Sequence, residues 1–305
     1  MKRTWCYAAL LAAMVSGCSS DDETAGMDST EIKVGATVYG AVTKAPVTTG
    51  DEFTAAITAF EGTSTPTDWT AAPSWTNSVT LTAAETAAGN KTPLNTSKTY
   101  PEGKTVYMAA WHPNIASSDG VVTFKKDGTE DVMWGGIVNG NKTTPVGPFA
   151  FTHALTQLVF KVQATEAYLA ANTGKAIKAI EVQGGQYAQS MTIADGAITY
   201  ATAANIPVPG APETPQELTS TLVTFGEPLM IKALDGVKVK VQYGDDSYSN
   251  EVTINNAETN KSLKAEAGSS HLISLSFQAN GEVAIQGTAS VAPWKVGAEG
   301  SGTIE

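Results

Sequence analysis

From residue 31 onward, apolar side chains alternate with polar ones in short runs. Ile32, Val34, Ala36, Val38 and Gly40 interleave with Lys33, Gly35, Thr37 and Tyr39, and Val237, Val239, Val241 and Tyr243 interleave with Lys238, Lys240 and Gln242. A period of two sends successive side chains to opposite faces, which is the mark of a strand. Between the runs stand Asp119-Gly120, Asp127-Gly128, Asn139-Gly140, Asp195-Gly196, Asp235-Gly236 and Asn280-Gly281, dipeptides that reach positive φ cheaply and so close tight hairpins. Their spread along the chain predicts a meandering antiparallel fold. Helical spacing is confined to Phe53–Phe60 and Thr165–Ala171, each about two turns long.

Two breaks interrupt the pattern. Thr144-Pro-Val-Gly-Pro148 separates two strand-rich halves, predicting one domain over residues 31–148 and a second over 149–305. Pro207 to Pro215 holds four prolines in nine residues, which excludes a central strand and predicts an ordered surface loop. The start of the chain has another character. Lys2 and Arg3, an apolar run from Tyr7 to Val15, and then Ser16-Gly17-Cys18 follow the plan of a secretory signal. The run is too short to span a bilayer, which takes about 20 residues. Val15-Ser16-Gly17-Cys18 resembles a bacterial lipobox, which implies a lipoprotein signal peptide over residues 1–17, cleavage before Cys18 and acylation of that cysteine. A plain signal peptide with an incidental cysteine is the competing reading. Residues 18–30 then form an acidic tether, in which Ser19-Ser20-Asp21-Asp22-Glu23 resembles the export tag that carries lipoproteins of Bacteroidetes to the outer face of the outer membrane.

Composition narrows the function classes. Cys6 and Cys18 are the only cysteines, and removal of the leader leaves no intramolecular disulfide, so the fold must hold by packing. The formal net charge of the 305 residues is -11, and Arg3 is the sole arginine. An acidic chain without arginine is a poor nucleic-acid binder, because that binding rests on cationic contacts to phosphates.

Candidate chemistry is sparse. His112, His153 and His271 are far apart in sequence, without the Cys or carboxylate spacing of a metal site. In Gly136-Ile-Val-Asn-Gly140-Asn-Lys142-Thr143 an asparagine separates the glycine from the lysine, so the stretch reads as a hairpin and not as a phosphate loop. Gly244-Asp245-Asp246-Ser247 lacks the glycine and final glutamate of a calcium loop and reads as the turn after the Val237 strand. No Gly-x-Ser-x-Gly elbow occurs. The residues predict neither an enzyme nor a cofactor.

Three landmarks in succession, TVYMAAWHP (105–113), GVVTFKKDGTEDVMWGG (120–136) and FAFTHALTQLVFKV (149–162), together with KAEAGSSHLISLSF (264–277) and EVAIQGTASVAPWKVG (282–297), resemble the fimbrillin family of Bacteroidetes, the type V pilins. The resemblance implies an all-β fold of two antiparallel, transthyretin-like β-sandwich domains in tandem. It also implies a lipoprotein that reaches the outer membrane surface and becomes a fimbrial subunit once a trypsin-like protease removes its first strand. The emptied groove then accepts a C-terminal strand of the next subunit, so the expected partners are other fimbrial subunits, the membrane through the N-terminal lipid, and a host or bacterial surface receptor. Carried onto this sequence, the first strand is Glu31–Thr43. Lys44, the only basic residue between Lys33 and Lys91, becomes the cleavage site. Lysine stands there instead of the arginine usual in the family, so a protease that accepts lysine is required. The donor region is Val283–Glu305, with Val283, Ile285, Ala289 and Val291 on one apolar face. A shaft, tip or anchor role stays open, and a monomeric surface lipoprotein that binds glycan or protein is the alternative.

Overall fold

Alternation becomes strand nearly everywhere. The computed structural model describes residues 31–39, 51–82, 91–280 and 282–293. In chain order the first strands are β1 (Lys33–Val34), β2 (Ala36–Tyr39), β3 (Glu52–Gly62), β4 (Trp75–Thr82), β5 (Thr92–Pro93), β6 (Thr105–His112), β7 (Ser117–Ser118), β8 (Val121–Thr123), β9 (Met133–Gly140) and β10 (Phe149–His153). They are followed by β11 (Thr156–Ala164), helix α1 (Glu166–Ala171), β12 (Ala176–Gly185), β13 (Ala188–Thr192), β14 (Ile198–Tyr200), β15 (Ala204–Pro207), β16 (Gln216–Glu217) and β17 (Val223–Ile231). The last are β18 (Leu234–Asp235), β19 (Lys238–Tyr243), β20 (Val252–Asn256), β21 (Lys264–Ala265), β22 (Ser269–Asn280) and β23 (Glu282–Pro293). The fold is all-β and sandwich-like.

The first sheet has the order β2-β10-β9-β6-β3-β4. On one face Phe53, Ala55, Ile57 and Ala59 of β3 meet Val106, Met108 and Ala110 of β6 and Phe149 and Phe151 of β10 in one core. Ala56, Tyr107, Ala109 and Trp111 point the other way into a second core, shared with Val122, Met191, Ile193 and Met230. Burial on both faces explains why Phe53–Phe60, expected as a helix, is a strand: a run that is apolar on both sides loses the alternation that announces a strand. Pairing decides its identity, since β3 is bonded to β4 from Glu52↔Thr82 to Ala59↔Trp75 and to β6 on its other edge.

The second sheet runs β15-β12-β19-β20-β23-β22-β11-β17, with β16 beside β12. Leu158, Phe160, Val162, Ile180, Val182, Val239, Val241, Ile273, Leu275 and Phe277 fill its core. Three ladders depart from the antiparallel expectation: β2 with β10, β11 with β22, and β20 with β23 are parallel. The helix expected at Thr165–Ala171 forms, with Thr165 Oγ1 accepting from Tyr168 N–H at 3.2 Å. β10 pairs with β2 and β9, so the chain leaves the first sheet between His153 and Thr156.

A four-stranded sheet, β14-β13-β8-β7, takes two strands from each half. Its ladder Ser190↔Thr123, Met191↔Val122, Thr192↔Val121 and the shared core join the halves, and Glu31–Glu305 is one compact unit. Asp119-Gly120 turns β7 into β8, and Asp195-Gly196 turns β13 into β14. Asn139-Gly140 departs from its expected turn: β9 runs through Gly140, and Asn141 makes the turn by accepting from the N–H groups of Thr143 and Thr144 at 3.0 and 2.8 Å. Glycine is required at 140 by proximity, because a Cβ there would lie 2.3 Å from Val146 N.

His153 bonds Asp131 through Nδ1 and Oδ1 at 2.8 Å, both residues buried, which fixes the crossing from β10 to β11. His271, 1 % exposed, has no hydrogen-bond partner at either ring nitrogen. Burial pulls its pKa down to about 4 against a weaker upward pull from Glu266. The unfolded chain therefore takes up this proton first as pH falls, so its contribution to stability is complete above about 6.5, the ordinary histidine value, and shrinks as pH falls toward 4. The melting temperature is expected to drop across that window and to drop less in His271→Met, which thermal denaturation against pH measures. Gly196 (φ +72°) lies under Trp134, where a Cβ would approach the indole at 2.5 Å. Gly196→Ala is expected to destabilise by about 2–4 kcal/mol from left-handed strain plus overpacking, read by denaturant unfolding.

Candidate assembly site: the N-terminal seam

Residues 31–39 pair first with β5, in a separate two-stranded sheet, and then with the β10 edge of the first sheet. Glu31 bridges Thr99, Ile32 N–H donates to Lys98 O at 2.7 Å, and β1 lies antiparallel to β5 through Lys33↔Pro93 and Val34↔Thr92. The segment next to β5 is tied to edge strand β4. Asn95 N–H donates to Ser78 O at 2.9 Å and Asn77 Nδ2 donates to Thr96 O at 2.6 Å. After Gly35, whose carbonyl accepts from Phe149 N–H at 2.9 Å, β2 runs parallel to β10 from Ala36↔Phe149 to Tyr39↔Thr152. The ladder that starts at β2 and ends beside β4 thus returns to the same nine residues. Glu31–Tyr39 is the seam that closes the ring around the first core.

Period two explains why this stretch serves. Ile32, Val34, Ala36 and Val38 are 0, 0, 3 and 3 % exposed and share the core with Leu94, Tyr100, Val146, Phe149 and Phe151. Each large aliphatic buried there contributes roughly 1.5–3 kcal/mol. Tyr100 closes the wall by accepting from Val146 N–H through its hydroxyl at 2.8 Å, and burial raises its pKa. On the opposite side of the strand Thr37 is also buried, and its hydroxyl has no partner. At the entrance, Lys33 and Ser97 reach Glu31 at 3.7 and 3.0 Å. β5 was not legible as a strand, because Thr92-Pro93 carries a proline. Asn77 and Asn95 do there with side-chain amides what a longer strand would do with its backbone.

Cys18 and Lys44 lie outside the described residues. Lys44 falls in the connection between β2 and β3. Val283, Ile285, Ala289 and Val291 all belong to β23, which pairs antiparallel with β22 from Asn280↔Glu282 to Ser269↔Pro293 and parallel with β20 at Gly287–Ala289. Ala289 is buried in the second core. The seam and β23 are thus in different sheets of the same chain. Among the described residues no cluster of three or more His, Cys, Asp or Glu could hold a metal, and no helix is long and apolar enough to cross a membrane.

An all-β structural module closed by its own N-terminal strand is the class this geometry defines. The Fimbrillin-like family model matches residues 41–294, and the chain belongs to that family. Among solved structures, a candidate cell adhesion protein of Bacteroides uniformis shares the fold with a TM-score of 0.52 at 16% identity, covering 87% of this chain and 100% of that one. A second candidate cell adhesion protein, from Bacteroides ovatus, aligns with a TM-score of 0.47 at 13% identity over 88% of this chain and 98% of its own. The tip fimbrial protein Mfa3 of Porphyromonas gingivalis, with a C-terminal truncation, aligns with a TM-score of 0.41 at 10% identity over 87% of this chain and 100% of its own. No curated protein matches the sequence.

The seam makes a local prediction. Val34→Asp puts a carboxylate without a counter-charge into the first core, which costs roughly 3 kcal/mol or more. Amide exchange at residues 32–39 is expected to quicken by on the order of 100-fold, with slower change at Ile273–Phe277, as hydrogen exchange with mass spectrometry reads.

Proposed function

We propose that the chain is a fimbrial subunit, exported as a lipoprotein through Cys18 and assembled by exchange of its N-terminal strand. The observation that carries this reading is the seam: four alternating side chains of a nine-residue segment fill the first core while β2 has a single neighbour, β10, in its sheet. Family membership supports a place in a fimbrium at the cell surface and a structural rather than catalytic role. Cutting after Lys44 frees Glu31–Lys44 from the following chain. Its loss leaves an apolar groove bounded by β5 and β10, and such an edge accepts an added strand by β-augmentation. The strand supplied by the next copy comes from the Val283–Glu305 region. Repeated head-to-tail contacts of this kind do not close, so they build a filament.

A second reading is favoured by one observation: β23 is bonded on both edges within its own sheet. A subunit that keeps this strand accepts but does not donate, which suits a tip. One that also keeps its seam suits an anchor.

Limited trypsin digestion of the chain lacking residues 1–18 tests the proposal. A single early cut after Lys44, loss of the leading strand and a ladder of oligomers on size-exclusion chromatography are expected, and Lys44→Gln should abolish all three. A cut that leaves a stable monomer supports the accepting-only reading. Resistance at Lys44 overturns processing by a lysine-accepting protease.

A further inference from the structure

Beside the edge strand β4, the loop after Pro113 stands over β3 and β4 and lines an open cleft of about 490 Å³ that extends to Asn77 and Thr96. Its floor is Ala56 and Thr58 of β3 with Trp111 of β6. Thr76 and Ser78 of β4 form one wall, and Asn114 in the loop forms the other. The floor is rigid. β3 is paired along both edges, and Trp111 is held by its indole N–H donating to Ile115 O at 2.9 Å, which also ties the loop to the sheet.

Two features select a ligand chemistry. First, the polar groups lining the cleft are hydroxyls, amides, backbone and the Trp111 indole N–H, which is already bonded to Ile115 O, and none of the lining residues is charged, in a chain with 49 charged side chains, 19 basic and 30 acidic. A phosphate, carboxylate or ammonium would find no counter-charge there. Second, Thr58 is 1 % exposed and its hydroxyl has no hydrogen-bond partner. A buried polar group is normally paired, so an unpaired one on the floor of a cleft marks where an incoming hydroxyl would bond. Ala56 and Trp111, both buried, close the floor beneath these groups, and the volume falls in the range of small-molecule sites. We infer that this cleft is a binding site for a short neutral saccharide, whose hydroxyls meet Thr58, Thr76 and Ser78. The lining contains none of the residues of Glu31–Tyr39 or of β23, but Asn77, Ser78 and Thr96 belong both to it and to the contact that ties the β5 segment to β4.

Saturation-transfer NMR and calorimetry of the intact chain with maltotriose, mannobiose and N-acetyllactosamine, and with 3′-sialyllactose as the charged comparison, test the inference. Saturable binding of at least one neutral probe is expected. Thr58→Val, which keeps the side-chain shape, should weaken it about tenfold, as loss of one buried hydrogen bond predicts. Ala116→Trp, an exposed loop change that fills the mouth, should abolish binding without lowering the melting temperature. Failure of every neutral probe, preference for the sialylated one, or affinity unchanged by both substitutions would overturn it.

Discussion

The nine residues Glu31–Tyr39 hold the first sheet closed, and the behaviour proposed for the protein depends on how they do it. Most edge strands add one ladder to one side of a sheet. This segment bonds β5 with its first half and β10 with its second, so its removal opens two edges and one core together. Side-chain burial and backbone pairing act along the same short stretch. Closure is therefore strong while the segment is present and lost as a unit when it is withdrawn. An apolar groove with unpaired N–H and C=O groups on both sides is a poor end state in water, which is why another strand is the natural occupant.

Two other cores contain none of the seam's side chains. The second core, built from Trp111, Val122, Met191 and Met230, lies on the opposite face of the first sheet and contains none of the seam's side chains. The shared sheet β14-β13-β8-β7 and the His153–Asp131 bond at the crossing tie the first sheet to the second. Stability is thus divided. The first core is closed by the N-terminal segment, and the second, which contains Ala56 of β3 and Tyr107, Ala109 and Trp111 of β6, is not. The cleft over β3 and β4 borders this part and also takes in Asn77 and Thr96 of the β4–β5 contact.

Period two was the most legible feature of the sequence. Ile32, Val34, Ala36 and Val38 were readable as one buried face from alternation alone, and Val239 and Val241 likewise, because each strand presents a single face to a core. Legibility failed where that condition fails. Phe53–Phe60 is buried on both faces and mimics helical spacing. β5 is a proline-bearing fragment held by asparagine side chains. The parallel partnerships of β11 with β22 and β20 with β23 join residues more than a hundred and about thirty positions apart, and local pattern carries no information about such pairings. The cleft was unreadable for the same reason: Thr58, Thr76 and Asn114 are ordinary polar residues until pairing and one loop bring them together. The family resemblance added the order of landmarks, which the family match over residues 41–294 supports.

Whether the seam is a separable element can be measured directly by giving it back. A chain beginning at Ala45 would be mixed with a synthetic peptide of residues 31–43, with binding followed by calorimetry and stability by thermal denaturation. The account predicts one-to-one binding, a rise in melting temperature toward that of the intact chain, and suppression of oligomers that form without the peptide. A shortened chain that is monomeric, as stable as the intact one and indifferent to the peptide would contradict it.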